Sequence, residues 1–358
     1  MGHPEVENST PFAFEALYLV DEAFRPLVVP LVKATFAIGA DGRCRSADEQ
    51  VPPNLEGECW GDDPETSSYK YEPEVAFTKP ATDVVLIGHA YAPDSRTTEM
   101  RVGLRVGQLS KQLLITGDRA WFRTAGIVSA TRPRPFEKVP LVYERAFGGW
   151  DRGHADAAKH TCEPRNPVGT GYRRAGGFAE DLRLPNIEDP RAPITAFGDR
   201  PAPAGFGFVS PHWQPRAQLA GTYDAAWQKS RAPLLPVDFD RRHLNAASPG
   251  LVAEGYLRGD ETVAGVGLTP DGRLHFALPG VPPPPVQLEL LDGRTEAVPL
   301  NLDTVVIEPD ERRVTLLWRG HRALRTGPHD VRRIDVGTRP VQAGASREVR
   351  AGADQFVE

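Results

Sequence analysis

Three side chains that could ligate a metal lie close together in one stretch of the sequence: His154, His160 and Cys162. A zinc site needs about four ligands at tight spacing. No second pair of cysteine or histidine residues stands nearby. The pattern favours an ordinary polar loop, so the sequence predicts neither a metal nor any other cofactor.

Candidate nucleophiles are similarly isolated. Ser210-Pro211-His212 puts a serine beside a histidine, but a catalytic triad is assembled in space and a short run cannot form one alone. Cys162 has His160 two positions away, which is proximity without orientation and favours a buried or incidental thiol. We therefore predict no catalytic residues.

Paired carboxylates leave one enzymatic alternative open. A glycosidase needs two carboxyl groups about 5–9 Å apart across the sugar, and tryptophans could stack on the ring. An aspartate followed by proline is, however, usually a turn former. The alternative is a carbohydrate-active or other hydrolytic enzyme on a β scaffold, based on three pairs: Asp62 with Asp63, Glu188 with Asp189, and Asp238 with Asp240.

Composition limits the elements that can position these residues. The 358 residues include 34 glycines and 35 prolines, and both residue types break helices. Hydrophobic residues make up 40% and charged residues 25%, which is typical of a soluble globular protein. Three separated cysteines imply no disulfide framework and fit a reducing compartment.

Charge and hydropathy argue against two classes of partner, nucleic acids and membranes. The formal net charge is -6, which argues against a nucleic-acid partner, since such proteins usually carry a strong basic field. Arg132 and Arg134, or Arg231 with Arg241 and Arg242, could form a local basic patch, although a solvated charged face is the simpler interpretation of each. The longest apolar run, Leu27 to Phe36, is too short to span a bilayer. With no secretory signal visible, we expect a cytoplasmic protein that does not enter the membrane.

Apolar patterning predicts strands in both outer thirds of the chain. Leu27–Ile38 is β-branched and ends at the turn signal Asp41-Gly42, and Pro30 suits an edge or a bulge rather than a central strand. Val84–Tyr91 is a nearly continuous apolar run that predicts one buried strand. Four hairpins are predicted: Met100–Val106 with Leu109–Thr116, Val263–Thr269 with Arg273–Leu278, Val286–Leu291 with Thr295–Leu300, and Val305–Ile307 with Arg313–Trp318.

The middle of the chain shows little periodicity but many aromatic residues. One helix is predicted after Thr222, which can cap it, with Asp224 in its first turn and Pro233 as its stop. A further helical turn is expected at 238–244. The number of aromatic residues favours an ordered loop layer over a flexible linker.

These patterns predict a mainly β fold. We expect an antiparallel strand-rich body, sandwich or barrel-like, with a long Pro/Gly/aromatic ordered loop layer and one or two short helices. Residues 1–336 form a single domain, with strand-rich halves at about 10–150 and 255–336 and the loop layer at about 151–254. Residues 337–358 are expected to be a flexible C-terminal tail.

Several unusual strings carry a family resemblance. They are PETSSYKYEPEVAFTKPATDVVLIGHAYAP (64–93), PLVYERAFGGWD (140–151), EPRNPVGTGY (163–172), LPNIEDPRAPI (184–194), PAGFGFVSPHWQPR (203–216), GTYDAAWQKSRAPLLPVDFD (221–240) and the step Asn245-Ala246-Ala247. In this order they resemble the domain of unknown function numbered 2169, from about residue 10 to about residue 279.

The resemblance implies a role in type VI secretion. Members of that family are associated with type VI secretion gene clusters. They are thought to act as adaptors that hold an effector, often one with a PAAR-like tip domain, and deliver it to the VgrG spike. The implied partners are an effector encoded nearby and the spike protein. A structural part of the secretion machine is a further alternative.

The resemblance supplies no site residues, so the candidate partner surface is a physical hypothesis. Tryptophan and tyrosine dominate binding hot spots, often with arginine. On that ground we nominate six residues for the partner surface: Trp150, Tyr172, Trp213, Arg216, Tyr223 and Trp227. The competing interpretation is that some of them are core aromatics of the loop layer. An edge strand that pairs with an effector segment is one binding mode that a strand-rich body would allow.

Overall fold

A computed structural model describes residues 4–173 and 182–337 of the chain. The fold is mainly β, with many antiparallel sheets and one short α-helix, so the predicted fold class is confirmed. The tail predicted for 337–358 lies, apart from Gly337, outside the described residues.

The strands of the described residues are numbered along the sequence. They are β1 (Glu5–Asn8), β2 (Ala13–Val20), β3 (Pro26–Ile38), β4 (Cys44–Ser46), β5 (Glu58–Cys59), β6 (Tyr69–Tyr71), β7 (Asp83–Leu86), β8 (His89–Tyr91), β9 (Glu99–Val106), β10 (Leu109–Thr116), β11 (Trp121–Thr124), β12 (Ile127–Ala130), β13 (Lys138–Pro140), β14 (Phe147–Gly148), β15 (Trp150–Asp151), β16 (Thr161–Cys162), β17 (Thr170–Gly171), β18 (Ile187–Glu188), β19 (Thr262–Val266), β20 (Arg273–Ala277), β21 (Val286–Leu290), β22 (Thr295–Val298), β23 (Asn301–Glu308), β24 (Arg313–Arg319), β25 (Arg322–Ala323) and β26 (Val331–Val336). The α-helix is α1 (Ala225–Ser230), and 3-10 helices span Tyr143–Arg145, Ala157–Lys159, Arg216–Ala220, Arg241–Leu244 and Pro328–Asp330.

The largest sheet combines strands from both ends of the chain. Its order is β2-β3-β24-β23-β7, with β4 and β25 also pairing with β3. All its pairs are antiparallel except β7 with β23. The two strand-rich halves expected from the sequence therefore share one hydrogen-bonded sheet.

Two further sheets complete the body. One has the order β18-β10-β9-β19-β20, and the other β1-β26-β21-β22. Together with the β23–β24 pair, they contain all four predicted hairpins, which are confirmed. The described residues also contain five separate two-stranded ribbons: β5 with β6, β8 with β13, β11 with β12, β14 with β17, and β15 with β16.

Strand β3 has apolar side chains on both of its faces. Val28, Val32 and Phe36 enter the main core, which the other sheets share. The alternate residues, including Leu27 and Leu31, pack in a second cluster that the loop layer covers. Burial on both faces explains why this strand reads as a continuous apolar run rather than an alternating one.

Pro30 corrects one prediction, because it lies in a central strand. Its carbonyl accepts a hydrogen bond from the Gly320 backbone N–H at 3.2 Å, on the side where β24 ends and β25 begins. The amide nitrogen of a strand residue points to the same side as its carbonyl. Proline lacks a backbone N–H, and at Pro30 that N–H would point to the gap between β24 and β25, where no strand residue needs it. The missing donor therefore costs little stability.

Two other predictions need adjustment. The run Val84–Tyr91 forms two strands, because the chain leaves β23 after Ile87 and pairs with β13 instead. Helix α1 is present, but Asp224 caps it by accepting a hydrogen bond from Trp227 N at 2.8 Å. Thr222, the predicted cap, bonds to Asp238 instead. The turn expected at 238–244 is a 3-10 helix over Arg241–Leu244.

A buried carboxylate joins the loop layer to the largest sheet. Asp83, at the start of β7, is fully buried. Its oxygens lie 2.7 Å from Lys79 Nζ and accept hydrogen bonds from Asn245 Nδ2 at 3.0 Å and Ala246 N at 2.8 Å. The Asp83 carboxylate therefore has three donors, and two of them, from Asn245 and Ala246, hold the step Asn245-Ala246-Ala247 against the sheet.

A second connection links β10 to the same part of the loop layer. Lys111 Nζ donates to Ser248 Oγ at 2.6 Å and to the Pro249 carbonyl at 2.8 Å. Tyr143 Oη donates to the same Ser248 hydroxyl at 2.9 Å. Burial lowers the pKa of Lys111 to about 8, because the charged ammonium loses water there.

We expect Asp83→Asn to destabilise the fold strongly. The substitution leaves the Lys79 ammonium buried without its carboxylate, which typically costs about 3–5 kcal/mol. Urea denaturation measures the loss. Asp41→Asn is the matched control, since it removes an exposed aspartate that is paired with Arg45 at 2.6 Å, and it should leave the midpoint nearly unchanged. Equal effects of the two variants would contradict the assigned role of Asp83.

Lys111 should make stability depend on alkaline pH. Its folded pKa lies below its unfolded value, so the folded state binds fewer protons and the contribution of this residue to stability rises as pH increases from about 8 to about 10. Lys111→Met should abolish that rise. We expect the wild type to gain about 2 kcal/mol relative to the variant over this range, measured by urea denaturation at each pH. Parallel pH profiles would contradict the assignment.

Candidate functional site

Two of the unusual strings meet around one buried asparagine. Asn166 Nδ2 donates to the carbonyls of Tyr143 at 2.8 Å and Phe147 at 3.1 Å. The Asn166 backbone carbonyl lies close to Gly148: a Cβ atom on residue 148 would be 2.1 Å from the Asn166 oxygen. Gly148 also has a φ of 155°, so both the space and the backbone conformation require glycine. The FGGW and NPVGTG strings therefore fit each other through one amide side chain and a glycine.

This contact positions ribbons β14–β17 and β15–β16, which present a group of arginine and aromatic side chains. Trp150, on β15, is 41% exposed and has the Arg152 guanidinium 5.4 Å from its ring centre. Arg200 lies 4.9 Å from the ring centre of Tyr172. Arg173 NH1 donates to the Trp150 carbonyl at 3.2 Å. We name these five residues the arginine–aromatic surface. The structure thus brings together two of the nominated residues, Trp150 and Tyr172.

A satellite core supports this surface from below. It contains Trp121, Phe147, Leu184 and Ile194, with Tyr172 packed against it. Trp121 also contacts Phe197 edge to face, with ring centres 5.6 Å apart. Tyr172 is therefore half in a core and half at the surface, where Arg200 covers it. Pre-ordered side chains of this kind lose less conformational entropy on binding than mobile ones.

Two other nominated residues form a pair at the start of α1, with Trp227 in the helix and Tyr223 just before it. The rings of Tyr223 and Trp227 meet edge to face with centres 4.7 Å apart. Trp227 Nε1 donates to the Leu234 carbonyl at 2.9 Å, which fixes that ring, while Tyr223 is exposed. Arg231, the C-cap of α1, donates to the Glu22 carbonyl and ties the helix to the β2–β3 turn. This pair belongs to a different surface from Trp150.

The last two nominated residues are corrections, because they do not reach the surface. Trp213 is only 6% exposed and packs edge to face on Tyr143, with ring centres 5.5 Å apart. Arg216 is buried, where it pairs with Glu72 and donates to the Val209 and His243 carbonyls, both at 2.7 Å. Both side chains hold the loop layer to the body, so neither contributes to a partner surface.

Two exposed apolar features were missed from the sequence. Phe24 is exposed at the tip of the β2–β3 turn with a φ of 63°, held by backbone donors to Asp21. The ribbon β11–β12 exposes Phe122 and Ile127 beside a turn at Ala125-Gly126. Alternation around Gly126 is a usable hairpin signal, whereas nothing in the sequence predicts a left-handed phenylalanine.

The carboxylates that could suit a hydrolase are distributed among structural roles. Asp63 and Asp189 accept hydrogen bonds from backbone N–H groups two residues later, as turn formers do. Glu188 is buried against Arg119 and accepts from Ile194 N at 2.7 Å. Asp238 accepts from Thr222, and Asp240 caps the 3-10 helix at Arg241–Leu244.

A cavity of about 580 Å³ between the 51–58 segment and the largest sheet also contains carboxylates. Glu74 lies 2.7 Å from Lys33 Nζ and accepts from Asn54 N at 2.7 Å. Glu308 receives two hydrogen bonds of 2.7 Å from Arg313. Burial raises the pKa of Glu72, which the adjacent Arg216 opposes. Each of these three carboxylates therefore has a cationic partner.

The candidate nucleophile and metal residues do not converge within the described part of the chain. His160 Nε2 lies 2.9 Å from the His154 carbonyl oxygen. Burial, and then the neighbouring Glu163, raise the pKa of the Cys162 thiol, which disfavours a reactive thiolate. Residues 4–173 and 182–337 contain no group of three or more His, Cys, Asp or Glu side chains placed to hold a metal ion.

Trp213 and Trp150 should respond oppositely to truncation. We expect Trp213→Ala to lower the free energy of unfolding by about 3–5 kcal/mol, because it leaves a cavity beside Tyr143. Trp150→Ala should change it by less than about 1 kcal/mol, since Trp150 is 41% exposed and belongs to none of the buried clusters of the described residues. Urea denaturation of both variants measures this contrast. A large loss for Trp150→Ala would mean that its ring is structural and would remove it from the candidate surface.

The comparisons with known proteins find one family. A family model described as "Uncharacterized protein conserved in bacteria (DUF2169)" matches residues 23–319. The match begins later than the expected residue 10 and extends beyond residue 279, to the end of β24. No curated protein and no solved structure matches the chain. Among the described residues, no helix is long and apolar enough to cross a membrane.

Proposed function

This chain belongs to the DUF2169 family, and we propose that it is a non-catalytic adaptor that binds a type VI secretion effector. The effector is encoded nearby and often carries a PAAR-like tip domain. The adaptor acts in the cytoplasm and assists the loading of the effector onto the VgrG spike. The resemblance of the unusual strings implies this role, and binding occurs without turnover.

The observation that carries the proposal is the arginine–aromatic surface. Trp150, Tyr172 and the arginines beside them are the residue types that dominate binding hot spots. They stand on backbone fixed by Asn166 and the two ribbons rather than on free loops. A surface of this kind suits recognition of a folded or extended protein segment, because little order must be gained on binding.

The arrangement of charged groups supports binding over chemistry. A general acid or base must reach the substrate with a free oxygen or proton. Glu74, Glu308 and Glu188 instead receive hydrogen bonds from cationic or backbone donors. The hydrolytic alternative remains a prediction, for which a glycan-hydrolysis screen is the direct test.

Co-expression with the neighbouring effector tests the adaptor role. We expect a stable complex on size exclusion with mass detection, and an effector that is soluble only when this chain is present. Separate peaks, with an effector that is soluble by itself, would remove the proposal. Stable co-purification with the spike protein in the absence of effector would instead indicate a structural part of the secretion machine.

Truncation of the arginine–aromatic surface identifies the binding face. The double variant Trp150→Ala with Arg200→Ala should weaken effector binding by about 30-fold, the effect of a hot-spot loss of about 2 kcal/mol. The matched control is Trp60→Ala with Lys70→Ala, which removes another exposed tryptophan and the cation 5.7 Å from its ring centre. Calorimetric titration of both variants provides the affinities. Equal weakening by the two would rule out this surface as the binding face.

A further inference from the structure

A second site lies beside the arginine–aromatic surface, in a cavity of about 520 Å³ lined by arginines. Thr170 of β17 lines it, and Tyr172 follows the end of that strand, so the two features are adjacent along the chain. The guanidinium groups come from four places: the segment before β11, the segment after β12, the 3-10 helix at 143–145, and the stretch before β18. They are Arg119, Arg132, Arg134, Arg145 and Arg183.

The positive charge of this cavity is only partly neutralised. Arg119 pairs with buried Glu188, and Arg145 lies 3.9 Å from Asp118. Glu144 also lines the cavity, but its carboxylate accepts hydrogen bonds from Ser67 and Ser68. The exposed rim arginines Arg132, Arg134 and Arg183 have no acidic partner among residues 4–173 and 182–337. Although the net charge of the chain is -6, three arginines without an acidic partner among the described residues thus line one concave place.

Arg119, one of the residues that line the cavity, also has a donor without an acceptor among the described residues. Arg119 Nε is buried and has no hydrogen-bond partner within the described ranges. A buried N–H group without an acceptor costs free energy that an incoming oxygen would recover. Guanidinium groups match carboxylate oxygens in geometry as well as in charge. The cavity is therefore suited to carboxylates.

An open strand edge leads into the cavity. Strand β12 pairs with β11, and no other strand of the described chain pairs with it. The Trp121 N–H points away from β12 to the Leu182 carbonyl, whereas Thr131 N donates to the Ala120 carbonyl. In an antiparallel ribbon, hydrogen-bonded and non-hydrogen-bonded residue pairs alternate. Ala130, which is paired with Trp121, is at a non-hydrogen-bonded position, so its N–H and C=O point outward from the ribbon. Ile127–Ala130 has none of the charges or prolines that usually protect such an edge.

We propose that this edge and the arginine cavity together bind an extended acidic segment of a protein partner. The segment adds a strand to β12 through backbone hydrogen bonds, as in other cases of strand addition. Its alternate side chains place carboxylates against Arg132, Arg134 and Arg183. The identity of the partner, a secretion effector, rests on the proposed adaptor function. The binding of an acidic segment at this site does not depend on that function.

Fluorescence anisotropy with a defined probe tests the site in the full-length protein. The probe is a fluorescein-labelled ten-residue peptide of alternating valine and glutamate, and its valine–lysine counterpart is the charge control. We expect binding of the acidic peptide alone, weakening as salt is raised. Arg132→Glu with Arg183→Glu should weaken binding at least about tenfold. The matched control, Arg105→Glu with Arg273→Glu, makes the same charge change on the exposed faces of β9 and β20, away from the cavity.

The strand edge has its own test. Ala130→Pro removes one outward N–H and is compatible with an edge position, so it should weaken the acidic peptide while leaving the thermal midpoint nearly unchanged. Equal binding by the cavity and control variants would overturn the proposal. Tighter binding of a ten-residue oligothymidine, lost in the same cavity variant, would also overturn it and indicate a nucleic-acid site.

The outcomes separate this inference from the adaptor proposal. If the acidic peptide binds and the effector forms no complex, the site stands and the adaptor role fails. If the effector complex survives Arg132→Glu with Arg183→Glu at full affinity and the peptide does not bind, the adaptor role stands and this site fails.

Discussion

The buried carboxylate of Asp83 is the constraint on which the rest of the structure depends. It lies where β7 enters the largest sheet, and Lys79, Asn245 and Ala246 all donate to it. A buried charge is tolerable only when it is paired and fully hydrogen-bonded. The sheet and the loop layer must therefore keep one relative position, since a displacement would take the Asn245 and Ala246 donors away from the buried carboxylate.

Further buried polar contacts extend that constraint across the loop layer. Arg216 joins Glu72 to the carbonyls of Val209 and His243, and Asn166 joins the segments of Tyr143 and Phe147. Such contacts are directional, so they fix irregular backbone that has few ladder hydrogen bonds of its own. The consequence for function is a set of loops that present Trp150 and the cavity arginines in fixed positions.

The residues that suit binding are separated from those that hold the fold. Carboxylates in the 580 Å³ cavity are paired with Lys33, Arg216 and Arg313, whereas three arginines around the 520 Å³ cavity have no acidic partner within the described ranges. Neutralised charges stabilise position, and unpaired charges attract a partner of opposite sign. This difference, rather than the net charge of the chain, distinguishes the surface proposed to bind.

The sequence by itself determined the mainly β fold and the four hairpins, because strand alternation and turn residues act within a few positions of each other. It also indicated which residue types could form a partner surface. Only the tertiary structure decided which of them are exposed: Trp213 is covered by Tyr143, and Arg216 by Glu72, 144 residues away. It likewise placed Pro30 in a central strand and gathered the cavity arginines. Burial and charge pairing depend on contacts between distant segments, which local patterns do not encode.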